Sequence, residues 1–225
     1  TDVEEVKKSK QLPFRFSTAY KNVKGDRQYS DAISEAMDIA VSNVPELNGS
    51  ILIAVDTSGS MSGDPIEKAS IFAATLLKAN KSADLILYDT RVQEASISGR
   101  GTVIDIANEI QRMARGGGTE TSLVFTHCML KNKHYDRIII ISDNESWNER
   151  SWGSNVQAEY AKYKQTGADP FIYAIDIEGY GTKDVDGKKV FHLTGWSDRL
   201  LDFIGQAEKG EALVDYVRNY EKINY

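Results

Sequence analysis

One stretch of the chain, residues 51–63, constrains the fold more than any other. It begins with an unbroken apolar run, residues 51–55, and then stops at Asp56, which Ser58 and Ser60 follow at alternate positions. An unbroken run rich in isoleucine and valine predicts a strand buried on both faces, as in a parallel sheet. Such sheets place their ligand sites just beyond the carboxyl ends of their strands. We therefore expect these three oxygen-bearing side chains to line a site at the edge of a parallel sheet.

Predicted strands and helices alternate along the rest of the chain. Apolar runs predict further strands at residues 84–88, 138–141, 170–175 and 190–193, and a charged antiparallel edge strand at residues 91–97. Amphipathic patterns predict helices at residues 28–44, 64–77, 103–113, 121–131, 155–165, 198–204 and 211–220. The alternation predicts an α/β fold: a doubly wound, mostly parallel sheet with one antiparallel edge strand and helices on both faces.

The same patterns divide the chain into three parts. Residues 1–48 form an N-terminal segment that is too small to have its own core, so we expect it to pack on the sheet domain or on a missing neighbour. Residues 49–207 form the sheet domain, and residues 208–225 form a C-terminal helix that packs on it. The 225 residues suffice for one large domain with a substantial core.

Composition narrows the function classes and the compartment. The formal net charge of −6 argues against a general nucleic-acid surface, although it leaves room for a local basic patch. The single cysteine, Cys128, rules out an internal disulfide and is compatible with a reducing compartment, so we expect a cytoplasmic protein. No apolar run approaches the roughly 20 residues that a membrane-spanning helix needs, and we expect no membrane partner.

Two further polar clusters follow predicted elements of the sheet. Thr119 comes directly after the glycine run at residues 116–118, and Asp143 lies just beyond the four-isoleucine strand at residues 138–141. The carboxyl ends of parallel strands meet at one edge, so we expect Asp56 and Asp143 to converge there. Glycines, which have no Cβ, would let the backbone beside Thr119 approach closely. Two carboxylates and three hydroxyls predict a Mg²⁺ site, which Mn²⁺ or Ca²⁺ could also fill.

Plainer interpretations of these residues exist. Aspartate and serine often bond the local backbone, so the first cluster could simply cap a loop. Thr119 could be the N-cap of the following helix, and Thr121 is a rival candidate for the metal. His127, His134 and His192 lack the spacing of a zinc site, and we interpret these histidines as surface or packing residues. The ordered combination of all three clusters favours the metal site.

The set Asp56, Ser58, Ser60, Thr119 and Asp143 resembles the metal-ion-dependent adhesion site of von Willebrand factor A (vWA) domains. A more particular resemblance, to the C-terminal half of Ro (TROVE) proteins, covers about residues 12–207. It is carried by the segments LPFRF at 12–16, AVDTSGSM at 54–61, GGTETSL at 117–123, SDNES at 142–146 and GWSDRLL at 195–201. Residues 1–48 would then correspond to the closing residues of that family's helical-repeat region.

The resemblance to vWA domains implies roles for the individual residues. Ser58 and Ser60 would bind the metal directly, Thr119 directly or through water, and Asp56 and Asp143 mainly through metal-bound waters. The vacant coordination position would accept a carboxylate from a protein partner. Beside the predicted edge, the candidates for contact with that partner are Glu120, Glu145 and Trp147.

The resemblance to Ro proteins implies a ribonucleoprotein that scaffolds small noncoding, Y-like RNA in RNA quality control or stress response. RNA binding in that family lies mainly on the repeat ring, so we expect this chain to bind RNA weakly. We do not expect an enzyme, because the chain has no P-loop, no nucleophile elbow and no histidine placed for a triad. The alternatives are a metal-dependent phosphoester hydrolase and an extracellular adhesion module.

Overall fold

A computed structural model describes residues 2–23, 25–97, 99–143, 155–179, 183, 185–195 and 199–208. The strands of this part of the chain are β1 (Ile51–Asp56), β2 (Ala83–Tyr88), β3 (Val92–Glu94), β4 (Arg137–Ser142), β5 (Phe171–Asp176) and β6 (Val190–Thr194). Its helices are α1 (Val3–Ser9), α2 (Ser17–Val23), α3 (Arg27–Ala40), α4 (Asp64–Ala79), α5 (Val103–Met113), α6 (Ser122–Leu130), α7 (Val156–Gln165) and α8 (Arg199–Ala207). Two short 3₁₀ helices lie at Pro13–Phe16 and Val41–Asn43. The predicted helix at residues 211–220 lies outside the described residues.

The strands form one sheet in the order β3-β2-β1-β4-β5-β6. All neighbouring pairs are parallel except β2 with β3, which is antiparallel. The predicted fold class is therefore confirmed. The edge strand is shorter than the predicted 91–97, because the chain leaves the sheet after Glu94 and buries Ile97 in the core instead.

The core covers both faces of the sheet, which explains the unbroken apolar runs. Ile51, Ile53 and Val55 of β1 face a core shared with α3, α4, α5 and α8. Leu52 and Ala54, at the alternate positions, face a second core shared with α6 and α7. Side chains alternate across a strand, so a strand covered on both faces needs an apolar residue at every position.

The N-terminal segment packs against the sheet domain. Leu12 and Phe14 are each only 3% exposed and belong to the same core as α4. The ring of Phe14 stacks on Phe72 of α4 with the ring centroids 5.9 Å apart. Met37 and Val44 extend this contact from α3 and the 3₁₀ helix after it. The segment thus shares its core with the sheet, while the domain boundaries at residues 48 and 207 stay predictions.

The strand order reverses between β1 and β4, and this reversal positions the candidate site. Val55 of β1 is paired with Ile141 of β4, so the last residues of the two strands lie side by side. Open α/β sheets form a crevice for ligands at such a reversal. Within the described part of the chain, no helix is both long and apolar enough to cross a membrane.

Candidate metal centre

Asp56 anchors the loop that follows β1. Its side chain is fully buried, and its Oδ1 atom accepts a hydrogen bond of 2.8 Å from the Ser58 backbone N–H. Its Oδ2 atom accepts a 2.7 Å hydrogen bond from the Ser142 hydroxyl at the end of β4. The carboxylate therefore ties the first loop to the neighbouring strand across the reversal of strand order.

The two serines of this loop place their hydroxyls together. The Oγ atoms of Ser58 and Ser60 are 3.2 Å apart, and Ser58 is nearly buried whereas Ser60 is exposed. Two adjacent ligands of an octahedral Mg²⁺, each at about 2.0–2.1 Å, lie about 2.9 Å from each other. The observed separation is close to that value, so the two hydroxyls fit neighbouring ligand positions of one small cation.

The glycine run at residues 116–118 docks on this first loop. Gly117 pairs with Ser58 in an isolated parallel bridge, and its carbonyl accepts a 2.7 Å hydrogen bond from the Gly59 N–H. The Gly116 N–H donates to the Thr57 carbonyl at 3.0 Å. On its other side, Gly117 lies so close to Asp89 that a Cβ there would be 2.8 Å from the carboxylate Oδ2. The glycine is thus required by close approach on both sides, as predicted for this run.

Thr119 follows two residues after Gly117 and is partly exposed. The N-cap position of α6 belongs to Thr121, which is 7% exposed, and not to Thr119. The plainer interpretation of Thr119 as the N-cap is therefore wrong. Between them, Glu120 donates its N–H to the Asp89 carbonyl at 3.1 Å, which holds the loop against the end of β2.

Asp143 completes the buried acidic pair. It directly follows β4 and is 1% exposed. Burial raises the pKa of Asp56 from 3.8 to about 6, and the negative charge of Asp143 contributes in the same direction. The hydrogen bonds from Ser142 and Ser58 act against this rise. Two carboxylates buried near each other destabilise their charged forms, and a divalent cation between them would remove that cost.

The structure thus brings together four of the five predicted metal residues: Asp56, Ser58, Ser60 and Asp143. Thr119 lies on the loop that docks beside them. Among the described residues, no group of three or more His, Cys, Asp or Glu side chains is placed to hold a metal ion. The donor set therefore consists of two carboxylates with hydroxyls, which suits Mg²⁺ better than a metal that prefers nitrogen or sulfur ligands.

The predicted partner-contact residues are only partly visible. Glu120 is partly buried, and its Oε1 atom lies 3.3 Å from the Ser122 hydroxyl, which donates to it. Glu145 and Trp147 lie outside the described residues. Ser142 was not among the predicted site residues, and no pattern marked it, because its role depends on a bond to a residue that is 86 positions away.

A cleft of about 290 Å³ opens beside the first loop. Its wall includes Thr57, Ser58, Met61, Ile66 and Arg115. Met61 is fully buried and Arg115 is exposed, so the cleft has an apolar floor and a basic side chain at its rim. A partner group that reaches the serines would pass next to this cleft.

The three histidines contact other parts of the chain. His127 lies 3.8 Å from Glu94, and His134 lies 3.0 Å from the Thr166 hydroxyl. His192 places its Nε2 atom 2.8 Å from the Val185 carbonyl oxygen. These contacts agree with their interpretation as surface or packing residues.

Comparison with known proteins places the chain among relatives. RNA-binding protein RO60 of Deinococcus radiodurans is 27% identical over 190 residues, which cover 80% of this chain and 36% of that protein. The crystal structure of the D. radiodurans Ro protein (RSR) matches with a TM-score of 0.76 and 20% identity, over 92% of this chain and 47% of that chain. Proximal thread matrix protein 1 from the mussel byssus matches with a TM-score of 0.52 and 19% identity, over 72% of this chain and 47% of that chain.

The structural matches are too distant in sequence to show more than the fold, which they share with this chain. The chain spans about a third of the length of the RO60 relative, 36%. A family model carries the assignment further, because the model of the Ro60 vWA domain matches residues 50–206, well over half of the chain. The resemblance to Ro proteins that the motifs indicated is thereby confirmed, and the chain belongs to the Ro60 vWA domain family.

Proposed function

We propose that this chain binds one Mg²⁺ ion through Asp56, Ser58, Ser60, Thr119 and Asp143, and uses it to hold a protein partner. The observation that carries the proposal is the pair of serine hydroxyls 3.2 Å apart beside the buried Asp56 carboxylate. The chemistry of this donor set, rich in hydroxyls and poor in exposed charge, supports a small hard cation.

Each residue has a distinct part in this proposal. Ser58 and Ser60 offer hydroxyl oxygens directly, and Thr119 does so directly or through a water molecule. Asp56 and Asp143 lie deeper and hold the waters that complete the shell, since Asp56 already accepts two hydrogen bonds. The bound ion supplies an electrophilic open position, and a carboxylate from the partner is the ligand best matched to it. Glu120, Glu145 and Trp147 are the candidates for further contact with that partner.

The proposed setting is a cytoplasmic Ro-like ribonucleoprotein that scaffolds small noncoding, Y-like RNA in RNA quality control or stress response. Family membership and the RNA-binding relative in D. radiodurans support this setting over the extracellular adhesion alternative. The chain corresponds to only part of such a protein, so the RNA belongs mainly to the remainder. We propose no catalytic role for the site.

Calorimetric titration with Mg²⁺ and Mn²⁺ tests the metal site. The wild-type chain is expected to release or absorb binding heat with a stoichiometry of one ion. The Ser60→Ala variant is expected to bind at least about 10–100-fold more weakly, since even residues outside the first ligand shell have effects of that size. Ser60 is exposed, so this variant should fold normally.

Ser62→Ala is the matched control, because it removes an exposed hydroxyl from the same loop without touching the predicted ligand set. It is expected to bind the metal as the wild type does. Equal affinity of the Ser60→Ala variant and the wild type, or no heat with either ion, would contradict the proposal.

A further inference from the structure

A second cleft, separate from the metal centre, lies between the N-terminal segment and the last described helix, α8. Its volume is about 580 Å³. We call it the basic cleft; it is lined by Lys10, Leu12, Arg15, Asn43, Arg199 and Asp202. Three cationic side chains against one carboxylate make it locally positive, although the whole chain has a net charge of −6. A concentration of positive charge on an acidic protein indicates an anionic ligand.

The backbone that carries two of these cations is well anchored. Lys10 ends α1 in a left-handed conformation with φ of 52°, and its N–H donates to the Lys7 carbonyl. Arg15 lies in the 3₁₀ helix that inserts Phe14 into the core. Between them, the Gln11 carbonyl accepts a 2.9 Å hydrogen bond from the Asn43 side chain. The positions of the two cations are thus set by ordered structure.

The third cation approaches from a distant part of the sequence. Arg199 is the first residue of α8, and Asp202 lies less than one turn further along the same helix. Lys10, Arg15 and Arg199 are all exposed, whereas Leu12 forms a buried apolar floor between them. The cleft therefore presents its charged groups to solvent around a closed base.

We propose that the basic cleft binds the phosphodiester backbone of single-stranded RNA. Arginine guanidinium groups match the geometry of phosphate oxygens, and lysine adds a third positive charge. No aromatic side chain lines the cleft, so it offers no platform on which bases would stack. Contacts to phosphates alone do not read sequence, and the cleft therefore binds RNA without a base preference.

This inference rests on the proposed function only in that the chain acts within an RNA-binding protein. None of the residues that line the basic cleft belongs to the metal set or to the cleft beside Ser58. RNA binding here is consequently independent of Mg²⁺ and can be measured in EDTA. Its failure and the failure of the metal site would be seen in separate experiments.

The test is fluorescence anisotropy with labelled oligouridylate and oligoadenylate of about ten nucleotides, in EDTA, at about 50 and 200 mM salt. Each neutralised phosphate contributes about −0.7 to the slope of log affinity against log salt for single strands. Three contacts give a slope of about −2 and a loss of about 20-fold between the two salt concentrations. The two oligonucleotides are expected to bind equally.

Substitutions then assign the binding to the cleft. Lys10→Gln, Arg15→Gln and Arg199→Gln are each expected to reduce the slope by about 0.7, and the triple variant to abolish it. Asp202→Asn removes the negative charge and is expected to tighten binding. Arg27→Gln is the matched control, because Arg27 is 96% exposed on α3 and makes the same change of charge outside the cleft.

The proposal is overturned if the wild type does not bind at the lower salt concentration, or if the triple variant keeps the wild-type slope. It is also overturned if Arg27→Gln weakens binding as much as the single cleft variants, because the attraction would then be delocalised. Labelled oligoglutamate of the same charge that binds as tightly as RNA would instead assign the cleft to an acidic peptide. Should the triple variant fail to fold, Asp202→Asn still decides, since unchanged affinity in it contradicts the proposal.

Discussion

Asp56→Asn is the substitution that most directly separates the structural role of the buried carboxylate from its role at the metal. The side chain is fully buried at the end of β1, where it accepts one hydrogen bond from the Ser58 N–H and another from the Ser142 hydroxyl. Asparagine has the same shape. Its oxygen can accept from Ser58, and its amide can donate to the Ser142 oxygen, because a hydroxyl both donates and accepts. The substitution therefore removes the charge while it keeps both contacts.

The size of the effect follows from the pKa of Asp56. Burial raises that pKa in the folded protein to about 6 from 3.8, the value expected in the unfolded chain. Between these two pH values the folded state holds a proton that the unfolded state has lost, so the free energy of unfolding falls as pH rises. The stabilisation is complete below about pH 4 and is lost above about pH 6, and at about 1.4 kcal/mol per pH unit it amounts to about 3 kcal/mol.

Asparagine does not titrate, so the variant avoids this loss. In EDTA at about pH 7.5, we expect Asp56→Asn to raise the free energy of unfolding by up to about 3 kcal/mol over the wild type. At about pH 4 the two proteins should differ little, because the wild-type carboxyl is then protonated in both states. Millimolar Mg²⁺ should reverse the order at the higher pH, since it stabilises the wild type and not the variant.

Urea denaturation followed by circular dichroism measures these differences at both pH values, with EDTA and with Mg²⁺. The reasoning is refuted if Asp56→Asn is clearly less stable than the wild type in EDTA at the higher pH, because the charge would then carry no cost. It is equally refuted if Mg²⁺ stabilises the variant as much as the wild type, because the carboxylate would then play no part in holding the ion.

Three further substitutions test the supports of the site and the fold. Gly117→Ala would place a Cβ 2.8 Å from Asp89 Oδ2, so it should displace the glycine loop and weaken Mg²⁺ binding measured by calorimetry; unchanged affinity would show that the loop can shift freely. Ser142→Ala leaves one oxygen of the buried Asp56 without its hydrogen bond and should lower the free energy of unfolding by about 1–3 kcal/mol in urea. Phe14→Ala should cost about 3–5 kcal/mol in the same assay, and a loss below about 1 kcal/mol would mean that the N-terminal segment does not share the sheet's core.

The strands that surround the site could be predicted because their signals are local. The apolar runs of β1 and β4 mark strands covered on both faces, and each observed strand ends within one residue of the prediction. The edge strand β3 was less predictable. Its length depends on Ile97, which leaves the sheet to fill the core, and such a choice is made by tertiary packing rather than by pattern.

The meeting of Asp56 and Asp143 was predictable from topology alone, since both follow parallel strands that end at one edge. The contacts that hold the carboxylate and the glycine loop were not. The Ser142 hydroxyl bonds Asp56 across two strands, and Gly117 fits against Asp89 because three loops converge. Neither contact leaves a trace in spacing, because each joins residues that are far apart in the sequence.

The course of the chain after β1 and β4 explains why buried charge accumulates at this point of the sheet. After Asp56 the chain turns to α4, which packs on one face, whereas after Asp143 it next forms α7, which packs on the other. The two connections therefore diverge and leave a crevice with both carboxylates at its base. Elsewhere along the edge an apolar residue could replace a buried aspartate without loss of packing. A carboxylate whose charged form costs about 3 kcal/mol is a burden to the metal-free fold, and a cation bound in the crevice is the condition under which that charge stabilises the protein.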